Sequence, residues 1–86
     1  MDSDEIRARV VKTLCRIAPE TQAGMLKPAL NLRDQLEIDS MDFLNFLVAL
    51  QQEFGVEVPE ADAGGLTTID DCVDYLAGAL RQRPPA

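Results

Sequence analysis

The chain has 86 residues, 47% of them hydrophobic, and this length fits one small domain with a single modest core. It contains no histidine, which excludes histidine general bases, histidine-activated serines and most zinc sites. The net charge is -7, and residues 34 to 80 contain eleven acids and neither Lys nor Arg, so nucleic acid is not an expected partner.

The first predicted helix covers residues 3 to 18, with Asp2 or Ser3 able to cap its start. Its apolar residues recur at helical spacing and therefore predict a buried stripe: Ile6, Val10, Leu14 and Ile17. Pro19 ends the helix. Residues 19 to 38 show no long periodicity, and a loop of this length in a small domain should be packed by its own side chains. We expect its leucines to anchor it, with a helical turn over residues 32 to 36.

A second long helix is predicted over residues 40 to 54. Asp39 is placed to cap it, Asp42 follows three residues later, and Gly55 is placed to end it in a left-handed conformation. One broad face is predicted to join the core: Phe43, Phe46, Leu47, Leu50 and Phe54. A second apolar stripe either packs under the long loop or forms a partly exposed contact patch: Met41, Leu44 and Val48.

Residues 56 to 58 are interpreted as an extended connector with both valines facing inward. Residues 59 to 63 predict one helical turn with Pro59 at its first position. The last helix is predicted over residues 69 to 80, with Thr68 as its cap and Asp71 at the spacing of a capping box. Its apolar face comprises Ile69, Cys72, Val73, Leu76 and Leu80, with Tyr75 at the edge.

These elements predict an all-α fold, a small three-to-four-helix bundle with a long first loop. We expect a single domain over residues 1 to 83, followed by a frayed tail over residues 84 to 86. Cys15 and Cys72 lack metal-ligand spacing and fall on apolar helix faces, so buried, reduced thiols are expected, with a disulfide as the alternative. No apolar run approaches the roughly 20 residues of a membrane span. The N-terminus lacks the features of a secretory signal, so a cytoplasmic protein is expected. No metal site is expected, because the chain has no histidine and its two cysteines lack metal-ligand spacing.

Three segments at matching spacings carry a resemblance: residues 39 to 42 (Asp-Ser-Met-Asp), 53 to 59 (Glu-Phe-Gly-Val-Glu-Val-Pro) and 66 to 71 (Leu-Thr-Thr-Ile-Asp-Asp). Together they resemble the acyl carrier proteins, which share the long first loop. In that family the serine after the aspartate carries 4′-phosphopantetheine as a phosphodiester, and the thiol of this arm holds acyl groups as thioesters. The resemblance implies that Ser40, beside Asp39, is the attachment site. It further implies presentation of acyl intermediates to enzymes of fatty-acid, polyketide or specialised lipid biosynthesis.

The resemblance also implies partners. In the family, acids beside the serine engage the phosphopantetheinyl transferase, and apolar positions along the following helix contact partner enzymes. The residues that would bind partners here are Met41, Asp42, Leu44, Val48 and Glu53. We expect a monomer that meets acyl-loading and acyl-using enzymes with basic docking surfaces. The alternative is that the acids only solvate a small domain.

Several residues differ from those usual in the family, and these differences favour some pathways over others. Asn45, Gln51 and Gln52 stand where fatty-acid carriers usually bear exposed acids, and the phenylalanines of the second long helix add bulk that would reduce an acyl cavity. Both favour a specialised carrier. A peptidyl carrier is disfavoured, because residues 37 to 39 are Glu-Ile-Asp rather than Gly-Gly-His or Gly-Gly-Asp.

The residues also bear on three other classes of function: an enzyme, a calcium-binding protein and an unmodified interaction domain. As a nucleophile Ser40 lacks a suitable base, so no enzyme is predicted. The acids of residues 62 to 71 do not have EF-hand spacing. The alternative function is an unmodified helical interaction domain that binds a partner through the face of Met41, Leu44 and Val48, for which Ser40 would be unnecessary.

Overall fold

Helix α1 opens the structure, a computed structural model that describes residues 2–82. It spans Ser3–Ile17 and is capped by Asp2, whose side chain accepts a 2.8 Å hydrogen bond from the Glu5 N–H. Its buried residues include Ile6, Val10 and Leu14, and the helix packs against both other long helices. Cys15 is only half-buried, at the edge of this stripe and with its sulfur 4.0 Å from the Thr21 carbonyl oxygen. The prediction that both thiols are buried is therefore wrong for Cys15.

A long connection follows, containing a 3-10 helix at Ala23–Met25 and the short helix α2 at Leu32–Gln35, which confirms the predicted helical turn. Leu32 is fully buried and Ile38 is buried, while Leu26 and Leu36 pack against the core. Leu30, by contrast, remains exposed, so not every leucine anchors the connection. Two backbone hydrogen bonds tie this segment to the start of the last helix: Leu32 N–H to Thr67 O at 2.8 Å, and Asp70 N–H to Pro28 O at 3.0 Å.

Helix α3 spans Ser40–Phe54, as predicted. Its start is a reciprocal capping box, because Asp39 accepts from the Asp42 N–H at 2.8 Å and Asp42 accepts from the Asp39 N–H at 3.4 Å. Gly55 ends the helix in the left-handed conformation, with φ 62° and ψ 35°, which is accessible to glycine without a Cβ clash. Four residues of the predicted core face are buried: Phe46, Leu47, Leu50 and Phe54. Phe43 is only partly buried, with its ring centroid 6.3 Å from that of Phe46.

Residues 56 to 59 then run without helix or strand, and Val56 and Val58 pack against the core as expected. Helix α4, at Glu60–Ala63, has no buried residue. Pro59 is its N-cap, so the prediction that Pro59 is the first helical residue is wrong by one position. The Tyr75 hydroxyl of the last helix donates a 2.7 Å hydrogen bond to the Asp62 carboxylate and holds α4 beside it.

Helix α5 spans Ile69–Gln82, two residues beyond the predicted end. The predicted tail over residues 84 to 86 lies outside the described residues. Thr68 accepts from the Asp71 N–H at 3.0 Å, as predicted for a cap. The Asp71 carboxylate accepts from the Thr67 hydroxyl at 3.3 Å, so the capping-box spacing produces a side-chain pair with Thr67.

The core forms where α3 and α5 pack on α1, and Leu32 and Leu66 close it from the connections. From α5 it takes Ile69, Cys72, Val73 and Leu76, while Leu80 is partly buried. Residues 2–82 contain helices and no strand, which confirms the all-α prediction. None of the described helices combines the length and apolar character needed to cross a membrane.

Candidate functional site

Ser40 is the first residue of α3 and is exposed, with exposed residues on either side. The first N–H groups of an α-helix have no intrahelical partner and form the positive end of its dipole. At α3, the Asp39 carboxylate accepts from the Asp42 N–H, and the Asp39 carbonyl accepts from Phe43 at 3.0 Å. The hydroxyl of Ser40 therefore stands at a helix N-terminus that Asp39 fixes in place.

Ser3 occupies the same local position in α1. It is the chain's other serine, it is exposed, and it is the first residue of a helix capped by an aspartate through a 2.8 Å bond. An exposed serine after a capping aspartate is therefore not a distinctive feature in this protein. What differs is the next residue, which is Asp4 in α1 and Met41 in α3.

The second apolar stripe of α3 is exposed. Met41 is 62% exposed, Leu44 51% and Val48 43%. Of the two interpretations of these residues, packing under the long loop is therefore wrong, and they form a surface that we call the α3 stripe. Asn45 and Gln52 beside it are also exposed. The stripe starts one residue after Ser40 and runs two helical turns along α3, and Asp42 is the one charged residue between Met41 and Val48 in the sequence.

Glu53 does not lie with this surface. Its carboxylate is 3.8 Å from the Arg9 guanidinium and 3.9 Å from that of Arg16, both on α1. Glu53 thus faces α1 and supports its packing on α3, and its expected role in binding partners stays a prediction.

The sequence did not indicate that the far end of the α3 stripe is a recess. A shallow groove of about 370 Å³ is lined by Val48, Gln51, Gln52, Gly55, Val56 and Glu57. Gln51 fixes the backbone beside this groove, because its side-chain oxygen accepts a hydrogen bond from the Val58 N–H at 3.1 Å. Glu57, four residues after Glu53, is thus an exposed acid at this end of the α3 stripe.

Within residues 2–82 there is no group of three or more His, Cys, Asp or Glu side chains placed to hold a metal ion. Cys72 is fully buried, and burial, with a smaller effect of nearby Asp71, raises the pKa of its thiol to about 12. A thiol that stays protonated is a poor nucleophile and a poor metal ligand. Cys72 is therefore a core residue.

Comparison with known proteins agrees with this geometry. The sequence profile of the family described as "Phosphopantetheine attachment site" matches residues 7–76. The chain is 31% identical over 77 residues to the acyl carrier protein of Rubrobacter xylanophilus, covering 88% of this chain and 93% of that protein. It is 32% identical over 80 residues to acyl carrier protein 2, mitochondrial, of Arabidopsis thaliana, covering 90% of this chain and 60% of that protein. The solved structure of the Enterococcus faecalis acyl carrier protein is similar with a TM-score of 0.74 at 30% identity, over 92% of this chain and 99% of that one.

Proposed function

The chain belongs to the acyl carrier proteins, within the family that has a phosphopantetheine attachment site, and from this membership we propose that Ser40 is the residue that carries 4′-phosphopantetheine. Members of this family are carriers and not enzymes, so the reactions on the cargo are performed by partners. The observation that carries the assignment is that Ser40, and not Ser3, combines an exposed helix start with an exposed apolar surface beside it.

The local chemistry supports a phosphodiester at this position. A phosphate on the Ser40 oxygen would lie beside the first N–H groups of α3, where the helix dipole favours negative charge. Asp39 and Asp42 oppose that charge in part, but the two carboxylates are engaged in the capping box. We propose that they also contact the phosphopantetheinyl transferase. The arm's terminal thiol then holds an acyl group as a thioester, and the protein presents it to successive enzymes.

We propose that the α3 stripe docks those enzymes. An exposed apolar strip of Met41, Leu44 and Val48 beside the attachment point gives a small contact, suited to brief binding. The acids at its two ends, Asp39 and Glu57, favour partners with basic docking surfaces. These partners would be acyl-loading and acyl-using enzymes.

The neutral Asn45 and Gln52 between the ends favour a polyketide or specialised lipid pathway over a standard fatty-acid synthase. A monomeric state and a cytoplasmic location stay predictions.

The test is the intact mass of the protein after incubation with coenzyme A and a broad-specificity phosphopantetheinyl transferase. We expect the mass to rise by one phosphopantetheine. The variant Ser40→Ala should show no rise while keeping the helical circular dichroism spectrum. Ser3→Ala is the matched control, because it removes another exposed serine at a helix start capped by an aspartate and should be modified like the unchanged protein.

Modification of Ser40→Ala would disprove the site assignment. No mass increase on folded protein with several transferases would instead favour the unmodified interaction domain, which binds a partner through Met41, Leu44 and Val48. Capture of a partner by the unmodified protein, lost on Leu44→Asp, would then be the next experiment.

A further inference from the structure

The flank of α1 beside α3 carries three basic side chains, which we call the α1 row: Arg9, Lys12 and Arg16. They lie at positions i, i+3 and i+7 of the helix, so at roughly 100° per residue they fall within about 60° of one another. Lys12 is exposed, and the Arg16 side chain is 61% exposed. Residues 34 to 80 contain eleven acids and no base. The α1 row is therefore a basic surface on a protein whose net charge is -7.

The carboxylates near the α1 row do not occupy its hydrogen-bond donors. Glu53 lies 3.8 Å from the Arg9 guanidinium and 3.9 Å from that of Arg16. Glu5 lies 3.7 Å from Arg9. Each of these distances is too long for a hydrogen bond, and Lys12 forms no ion pair within residues 2–82. Exposed ion pairs of this kind contribute little to stability, so the row keeps its donors for an acceptor outside the chain.

Arg7, on the same helix, shows the contrast with a close ion pair. Its guanidinium donates a 2.7 Å hydrogen bond to the Asp70 carboxylate and so joins α1 to α5. The α1 row makes no such bond to the rest of the protein. Its three bases against the two acids beside them leave a local charge of +1.

A recess opens between α1 and α3 beside the α1 row. It encloses about 350 Å³ and is lined by Thr13, Arg16, Ile17, Ala49, Gln52 and Glu53. Ile17 and Ala49 are half-buried, so part of its wall is apolar. Gln52 also lines the groove at the far end of the α3 stripe. The row and the recess, which together we call the α1–α3 seam, are therefore continuous with the α3 stripe.

We propose that the α1–α3 seam is a second half of the docking surface and binds an acidic segment of the enzyme that docks on the α3 stripe. The segment presents a carboxylate to the α1 row and an apolar side chain to the recess. This inference rests on the proposed docking at the α3 stripe. A uniformly acidic protein or an anionic membrane would be repelled by the net charge of -7. The partner that fits is basic where it meets Asp39 and Glu57 and acidic where it meets α1.

Opposite charges on the two halves of one surface fix the orientation of a docked protein. In the reversed pose, the basic part of the partner would face the α1 row and its acidic part would face Glu57. Like charges would then meet at both places, and this disfavours the wrong pose. The seam thus determines the direction in which the docked enzyme lies relative to Ser40.

The probe is a helical peptide with an apolar face, lysines in one half and glutamates in the other, so that it carries no net charge. It is titrated into the ¹⁵N-labelled full chain, once with a nitroxide spin label at its glutamate end and once with the label at its lysine end. We expect the glutamate-end label to broaden most the amide resonances of Lys12, Arg16 and Ile17. The lysine-end label should broaden most those of Val56 and Glu57.

Three variants test the charges of the seam. Lys12→Glu reverses one charge of the α1 row at an exposed helical position, and we expect about threefold weaker binding of the peptide and loss of the selective broadening. Lys27→Glu is the matched control, because it makes the same charge change at an exposed lysine outside the seam and should keep both. Glu53→Gln removes the carboxylate that lies beside both arginines, so it should tighten binding by about threefold.

Equal broadening of the seam by the two labels would overturn the inference. Equal weakening by Lys12→Glu and Lys27→Glu would overturn it as well, because binding would then follow the total charge. Shifts at the α1 row that appear when the protein alone is concentrated, and vanish in Lys12→Glu, would assign the seam to a second copy of this chain instead. A failure of the proposed docking is seen separately, because the lysine-end label would then not select Val56 and Glu57, whatever the glutamate end does.

Discussion

Met41 and Val48 show what a single exposed apolar side chain contributes to this protein. The variants Met41→Asp and Val48→Glu each place an acidic side chain within the α3 stripe. Because both side chains are exposed outside the core, we expect a change in unfolding free energy of at most about 0.5 kcal/mol. Transfer of acyl groups to a partner enzyme should fall much more than the melting temperature. A sharp loss of thermal stability with unchanged transfer would show that the two side chains are structural.

Cys72 is the opposite case, a fully buried side chain whose surroundings change the pKa of its thiol. Burial raises the pKa of its thiol from 9.0 to about 12, so the folded state disfavours the thiolate that the unfolded chain forms readily. The stabilisation is fully present below pH 9 and is lost as the pH rises toward 12. We expect the unfolding free energy to fall by up to about 1.4 kcal/mol per pH unit in that window.

Denaturant titrations at several pH values measure this slope. Cys72→Ala removes the titrating group, so its stability should be lower at pH 8 but should depend less on pH above 9. Cys15→Ala is the control, because Cys15 is only half-buried and its replacement should leave the alkaline slope unchanged. An equal slope in Cys72→Ala would assign the alkaline loss to another group.

At the scale of elements, the backbone of the connection between α1 and α3 is held by hydrogen bonds from one side chain, that of Gln35. Gln35→Ala removes three hydrogen bonds to the backbone of Lys27 and Leu30, each contributing about 1 kcal/mol at most in an exposed setting. We expect the Lys27 amide to exchange with solvent at least several-fold faster. The Leu36 amide, which donates to Leu32 inside the turn, should keep its exchange rate. Equal acceleration at both amides would indicate that α2 itself has unfolded.

The elements that could be predicted are those with local signals. Both ends of α3 follow from Asp39 and Gly55, which act on their own neighbours in sequence. The role of Gln35 could not be predicted, because its partners are backbone groups of a segment without periodicity. The ion pairs of Glu53 could not be predicted for a related reason. Its arginine partners lie on α1 and meet it only when the helices pack.

The whole molecule carries a net charge of -7, and this should govern how fast it meets a basic partner. The screening length falls from about 30 Å at 0.01 M salt to about 8 Å at 0.15 M. We therefore expect the association rate with the phosphopantetheinyl transferase to fall as salt is raised. A rate that does not depend on salt would indicate that the acids only solvate the domain.

Two variants show whether the association rate depends on the acids beside the α3 stripe or on the total charge of the protein. Glu57→Gln and Glu53→Gln change the net charge equally, but Glu57 is an exposed acid beside the α3 stripe whereas Glu53 is paired with Arg9 and Arg16. Glu57→Gln should weaken the salt dependence more than Glu53→Gln. Equal effects of both would assign the steering to the total charge.

The two backbone bonds between the first connection and the start of α5 have a consequence for the order of events during synthesis. Leu32 and Pro28 find their partners at Thr67 and Asp70, more than thirty residues later in the chain. A chain is made from its N-terminus, so Ser40 exists before the residues that hold the first connection in place. The first connection therefore cannot reach its final position until residues 67 to 70 have been made, and the core between α1 and α3 stays incomplete until α5 joins it.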